Sequence, residues 1–206
     1  MKAGHADLRY VALGDSYTIG TGTRGPAEPW PDQLVMRLGS QPPALELVAN
    51  LGVNGYTSRD VIDMELPGLD ALRPEFVSLL VGVNDVVQDV PETTFRANAT
   101  TILGDLFERL APDRIVVVAT PDYTVTPQGA AYGDPRTQSA AIQRFNGVLQ
   151  ELATALGVAW VDIHDLSLRA ADDSTLIAVD GLHPSGAQYG LWVDRIAPVV
   201  DRLIRG

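Results

Sequence analysis

With 206 residues, 46% of them apolar, the chain can bury one substantial core but not two, so one domain over 1–206 is expected and disorder is excluded. It has no cysteine, which excludes thiol nucleophiles, disulfides and cysteine-bound metals, and it nowhere has the roughly 18 consecutive apolar residues of a membrane-spanning helix. A formal charge of −11 with no run of Lys or Arg argues against nucleic acid and anionic membranes as partners and suits a well-solvated surface.

The N-terminal stretch MKAGHADLRYVALG makes a poor leader, because its apolar run comes late, after Asp7 and Arg9. The run belongs to the fold, His5 falls in a terminus expected to fray, and the cytoplasm is the default location. β-Branched, apolar runs then recur at Leu8–Leu13, Leu45–Leu51, Phe76–Val81, Arg114–Ala119 and Val158–Ile163. FVSLLV and RIVVVA are nearly continuous, as strands buried on both faces of a parallel sheet are. Between the strands, apolar spacing and capping residues predict helices over Asp32–Leu38, Ser58–Leu72, Glu92–Leu110, Pro135–Leu156 and Ser185–Ile204. Strand and helix in alternation predict an α/β fold, a three-layer α/β/α sandwich with right-handed crossovers.

Ligands of such folds bind beyond the carboxyl ends of the strands. Four segments reach that edge: Gly14–Gly20, Gly52–Ser58, Gly82–Asp85 and, before the last helix, Asp180–His183. The connection Pro121–Arg136 is long for this architecture, and long loops at that edge often serve as lids.

The first segment makes two offers. GTGTRG (Gly20, Gly22, Gly25) spells the glycine pattern of a dinucleotide loop. It begins six residues after the strand ends, though, and Pro26, Pro29 and Pro31 spoil a helix opening at Gly25. GDSY instead places Ser16 just beyond the strand. A serine nucleophile needs a base, a carboxylate to orient the base, and donors for an oxyanion. His183 in DGLHP has Asp180 three residues before it, within a loop that Gly181 and Pro184 keep out of helix. Gly55 can present a backbone N–H at close approach and Asn84 a carboxamide, although singly these are an ordinary turn glycine and Asx-turn residue. His164, beside Asp162 and Asp165, could suggest a metal, but a lone imidazole in a turn is ordinarily structural.

Taken together, GDSYTIG, NLGVNGYTS, GVND and DGLHP resemble, in order and over nearly the whole chain, the four blocks of the SGNH/GDSL hydrolase family. The resemblance implies a flavodoxin-like sheet of five parallel strands, with Ser16 as nucleophile and His183 as base oriented by Asp180. It also implies an oxyanion hole from Ser16, Gly55 and Asn84, and needs no cofactor and no metal. Tyr17 stands where many relatives carry an aliphatic residue. Val53, Val83 and Val87 lie near the reactive positions, and Tyr17, Tyr56, Val86 and Leu182 are the expected pocket residues. Tyr123 and Tyr132, in the long loop, could cover the substrate. The expected activity is hydrolysis of small carboxylic esters. Acyl transfer to an alcohol or sugar, and a non-catalytic binding module, remain open, as does the oligomeric state.

Overall fold

The structure, a computed structural model, describes residues 7–206; His5 lies outside them. Five strands form its centre: β1 (Leu8–Gly14), β2 (Leu45–Asn50), β3 (Phe76–Leu80), β4 (Ile115–Val118) and β5 (Ala159–Val161). They run parallel in the order β2-β1-β3-β4-β5. This is the flavodoxin-like arrangement, with β1 and β3 side by side where the strand order reverses. Every residue of β3 and β4 is buried, which explains their unbroken apolar sequences.

The helices are α1 (Ser16–Ile19), α2 (Trp30–Leu38), α3 (Ser58–Asp60), α4 (Leu69–Leu72), α5 (Val83–Val87), α6 (Glu92–Arg109), α7 (Pro135–Leu156), α8 (His164–Leu168) and α9 (Gly186–Arg205). Helices α2 and α9 lie together on one face and bury Trp30 and Trp192 completely. On the other face α6 and α7 meet through the stacked rings of Phe95 and Phe145, 4.3 Å apart. Helix α2 starts earlier than its apolar pattern predicts, at Trp30, because Pro31 is tolerated in a first turn whose N–H groups lack partners anyway.

The expected helix over Ser58–Leu72 is broken. After α3 comes a π-helical turn, Val61–Glu65, then a 3-10 turn, Leu66–Gly68, and only then α4. Pro67 has no N–H to continue a ladder, and Gly68 favours no helix. Helices α1, α5 and α8 went unpredicted, since four or five residues are too few to show a period. Two of them, α1 and α5, start at the carboxyl edge of β1 and β3 and carry Ser16 and Asn84.

Candidate active site

Strand β1 ends at Gly14, with φ of +147°, against β3. A Cβ there would lie 2.1 Å from the Leu80 carbonyl oxygen, so only glycine lets the chain turn this close to its neighbour. Asp15 follows in extended conformation and caps α1, its Oδ1 accepting the Tyr17 N–H at 2.9 Å. Ser16 is thereby the first residue of α1, held in a short, tightly bonded turn that closes at Gly20 in the left-handed conformation. Asp15 itself is fully buried and its Oδ2 has no partner; burial pushes its carboxyl up to about 8.

At the other end of the chain, His183 sets Nδ1 2.6 Å from Asp180 Oδ2. The second oxygen of that carboxylate accepts the N–H groups of Leu182 and His183, at 2.9 and 3.0 Å. Burial works against the charge on Asp180, but these donors outweigh it and hold its pKa below the ordinary value. The carboxylate therefore selects the tautomer with the proton on Nδ1, leaving Nε2 free to accept. The loop is closed by the Ala178 N–H on the His183 carbonyl and by the Gln128 N–H on the Gly181 carbonyl. The His183 ring lies against that of Tyr17, centroids 5.5 Å apart.

Gly55 sits in a turn closed by the Tyr56 N–H on the Val53 carbonyl, at φ of +84°. Among the described residues the Gly55 N–H makes no hydrogen bond. Asn84, in α5, donates one carboxamide N–H to the Tyr56 carbonyl at 2.8 Å and keeps the other. Its neighbour Asp85 is fully buried and receives both the N–H and the hydroxyl of Ser58, at 2.8 and 2.5 Å. So the aspartate of GVND clamps the loop after β3 to the loop after β2.

Ser16, Gly55, Asn84 and His183 all line one cleft of about 270 Å³, Ser16 and His183 without a direct hydrogen bond between them among the described residues. Tyr17 and Leu182 line it as well. Tyr56 and Val86, also expected there, do not. Val83 and Val87 share a face of α5 and point into the cleft, which turns Val86 into the core at 4% exposure. Tyr56 contributes its backbone carbonyl to Asn84. Val53 is exposed outside the cleft, whereas Asn54, not among the expected pocket residues, lines it and accepts from the Thr21 hydroxyl. Its only signal was its place before Gly55.

Tyr123 and Tyr132 form an aromatic wall, edge to face at 5.7 Å. The segment that carries them is built from 3-10 turns at Tyr123–Val125 and Gly129–Tyr132, and Tyr123 is fixed by its hydroxyl on Gln138 at 2.9 Å. Asp122, just before, accepts from Thr124 and from Ser139, the latter at 2.5 Å. Nε2 of His164 lies 3.4 Å from Asp122 Oδ2, an ion-pair contact of poor hydrogen-bond alignment. His164 is thus a brace for this loop. Asp162 caps the His164 N–H and Asp165 pairs with Arg195, so the three do not converge. Among the described residues no cluster of three metal-ligating side chains occurs.

A model of the GDSL-like Lipase/Acylhydrolase family matches residues 12–191, which include all five residues of the resemblance. Curated proteins give no match. Among solved structures, the chain is similar to a lipase/acylhydrolase from Enterococcus faecalis, with 22% identity, TM-score 0.75, and 95% and 96% of the two chains covered. It is also similar to LAE5, an α/β hydrolase from the metagenome of Lake Arreo, Spain, with 19% identity, TM-score 0.74 and 97% of each chain. An acetyl xylan esterase from Geobacillus stearothermophilus superimposes with 20% identity, TM-score 0.72 and 97% of each chain. Identities this low speak for the fold, and the family pattern for kinship: the chain belongs to the GDSL-like lipase/acylhydrolase family of hydrolases, on the SGNH-hydrolase α/β fold.

Proposed function

We propose that the protein is a serine esterase that hydrolyses small carboxylic esters through an acyl-enzyme on Ser16. The observation that carries this reading is the Asp180–His183 pair at 2.6 Å opening onto the same cleft as Ser16, Gly55 and Asn84. His183 Nε2 takes the Ser16 proton while Oγ attacks the ester carbonyl. Asp180 holds the imidazole in register and stabilises the imidazolium. The oxyanion lies among the N–H groups of Ser16 and Gly55 and the free N–H of Asn84. Collapse breaks the bond to the alcohol, which leaves with the proton from His183. Water then attacks the acyl-enzyme and gives its proton to His183; the acyl–Oγ bond breaks, His183 returns the proton to Ser16 and the carboxylic acid leaves.

The size of the acyl group follows from the cleft. At about 270 Å³ it lies just under the usual range for drug-sized ligands, and Val83, Val87 and Leu182 make its wall apolar. Both features favour a short, uncharged acyl chain, and the esterase from Geobacillus, similar in fold, is one for acetyl xylan. Purified protein should turn over p-nitrophenyl acetate and butyrate faster than octanoate and palmitate, and Ser16→Ala should abolish turnover. Equal rates with and without Ser16 would end the proposal.

A further inference from the structure

Beneath the nucleophile turn lies a buried acidic group that the proposed chemistry does not use. The π-helical turn Val61–Glu65 ends on Glu65, a carboxylic side chain only 2% exposed. Turns of this kind are rare and recur at functional sites. Here the turn directs Glu65 inward, and its Oε2 accepts the Gly14 N–H at 3.0 Å.

That N–H needs such a partner. The β1–β2 ladder runs from Leu8↔Leu45 to Ala12↔Asn50, whereas β1 stays paired with β3 to Gly14↔Leu80. Past Ala12 the chain after β2 keeps only the Val53 N–H on the Gly14 carbonyl, at 3.4 Å, and the Gly14 N–H goes to Glu65 in place of a strand carbonyl. The bond is made two residues before Ser16, at the glycine whose φ of +147° begins the turn.

We propose that Glu65 is a positioning residue for the nucleophile, its carboxyl group holding the Gly14 N–H and so setting the turn that presents Ser16. The proposal rests on reading Ser16 as the nucleophile. Glu65 acts through the backbone and touches no reacting atom.

The surroundings decide its charge state. Asp15, on the turn, and Asp60, on α3, act on Glu65, and Asp85 acts on Asp15. Among the described residues the arginines of β1, α3 and α6 are engaged elsewhere, Arg9 with the Leu72 carbonyl, Arg59 with Asp63, Arg96 with Glu151 and Arg109 with Asp70 and Asp105. Oε1 of Glu65 and Oδ2 of Asp15 are both buried without a partner. Burial, reinforced by Asp15 and Asp60, pushes Glu65 up to about 9, so it grips Gly14 as a neutral acid. Ionisation would strengthen the acceptor for Gly14 but set a buried charge against Asp15, whose own carboxyl sits at about 8, and their repulsion would displace the turn.

The test compares wild type, Glu65→Gln and Glu65→Leu by the rate at which a fluorophosphonate labels Ser16, forming the Oγ–P bond and releasing fluoride. Melting temperature, kcat and KM are followed alongside. Glutamine keeps the acceptor for Gly14 and cannot ionise. It should label at nearly the wild-type rate at neutral pH and decline less than wild type between about pH 8 and 10, where Asp15 alone is left to ionise on the turn. Leucine leaves the Gly14 N–H unpaired and should lower labelling and kcat by about tenfold to a hundredfold with KM little changed. A folded Glu65→Leu protein with wild-type kcat would overturn the proposal, as would an alkaline decline in Glu65→Gln equal to that of wild type. If the leucine variant fails to fold, the alkaline comparison with glutamine alone decides. Absence of labelling in wild type would instead overturn the reading of Ser16, and this proposal with it.

Discussion

The carboxamide of Asn84 is fastened to the carbonyl of Tyr56 at 2.8 Å, so one N–H is spent on joining the loops after β2 and β3 while the other is left to the cleft. Removing the side chain therefore removes the loop tie and, on the proposed mechanism, an oxyanion donor with it. Asn84→Ala should lower kcat by about 10²–10³ with little change in KM, the loss typical of one such donor. Steady-state kinetics on p-nitrophenyl butyrate would check this. A raised KM at unchanged kcat would take Asn84 out of the oxyanion role.

Asp180 does two jobs, orienting the imidazole through Nδ1 and organising its own loop through the Leu182 and His183 N–H groups. In Asp180→Asn the carboxamide oxygen can keep the backbone bonds while its NH₂ faces Nδ1 and favours the wrong tautomer. We expect kcat to fall by about 10³–10⁴ with a nearly unchanged melting temperature. A comparable fall in melting temperature would point to loss of the loop instead.

Gly14 is predicted to be intolerant of any side chain. Its positive φ and the 2.1 Å approach of the Leu80 carbonyl act together in Gly14→Ala. The destabilisation should reach about 3 kcal/mol or more, measurable by urea unfolding, and Ser16 should be displaced with it. Gly55→Ala offers the contrast, since open space surrounds its would-be Cβ and only the φ of +84° opposes the change. It should cost less stability, about 1 kcal/mol.

Tyr132 stands at the rim of the cleft, 42% exposed, whereas Tyr123 behind it is buried and hydrogen-bonded. Tyr132→Ala should open the cleft without unfolding the loop and shift the acyl optimum upward. The ratio of kcat/KM for octanoate over acetate should rise by about tenfold, the scale of one or two methylene groups in an apolar pocket. An unchanged ratio would mean that the acyl chain lies elsewhere in the cleft.

The Asp122–His164 brace predicts a pH window. Burial opposes the charge on Asp122, yet the nearby His164 and hydrogen bonds from Ser139 and Thr124 outweigh it and hold the carboxyl at about 2, below its ordinary 3.8. Stability from this group is present above 3.8 and lost as pH falls through about 2. The Asp122 carboxylate beside it raises His164 above its ordinary 6.5, so its contribution is full below 6.5 and is lost as pH rises through the raised value. Both contributions are present between about pH 4 and 6.5. Thermal melts from acid to alkaline pH should show His164→Gln losing stability within that window and converging on wild type above it. A melting-temperature difference constant across pH would mean the contact is not ionic.

Much of this protein was legible in its residues because the signals were local. An unbroken apolar strand such as FVSLLV reports burial on both faces, and a glycine or proline reports backbone that no other residue adopts, so strands, turns and the four motif blocks could be read in order. Ser16, Gly55, Asn84 and His183, each picked out by its motif at the sheet edge, line one cleft, with Asp180 bonded to His183. What only the tertiary structure decided depends on contacts between residues far apart in the chain. The period of a five-residue helix is too short to choose its face, and docking of α5 sent Val83 and Val87 to the cleft and Val86 to the core. Nothing near Glu65 in sequence marks it as the partner of Gly14, because β2 diverging from β1 creates that vacancy and the π-helical turn fills it. Likewise His164 resembled a stray imidazole until the chain returned Asp122 to its side, since a side chain's role is set by the groups that folding brings within a few ångströms.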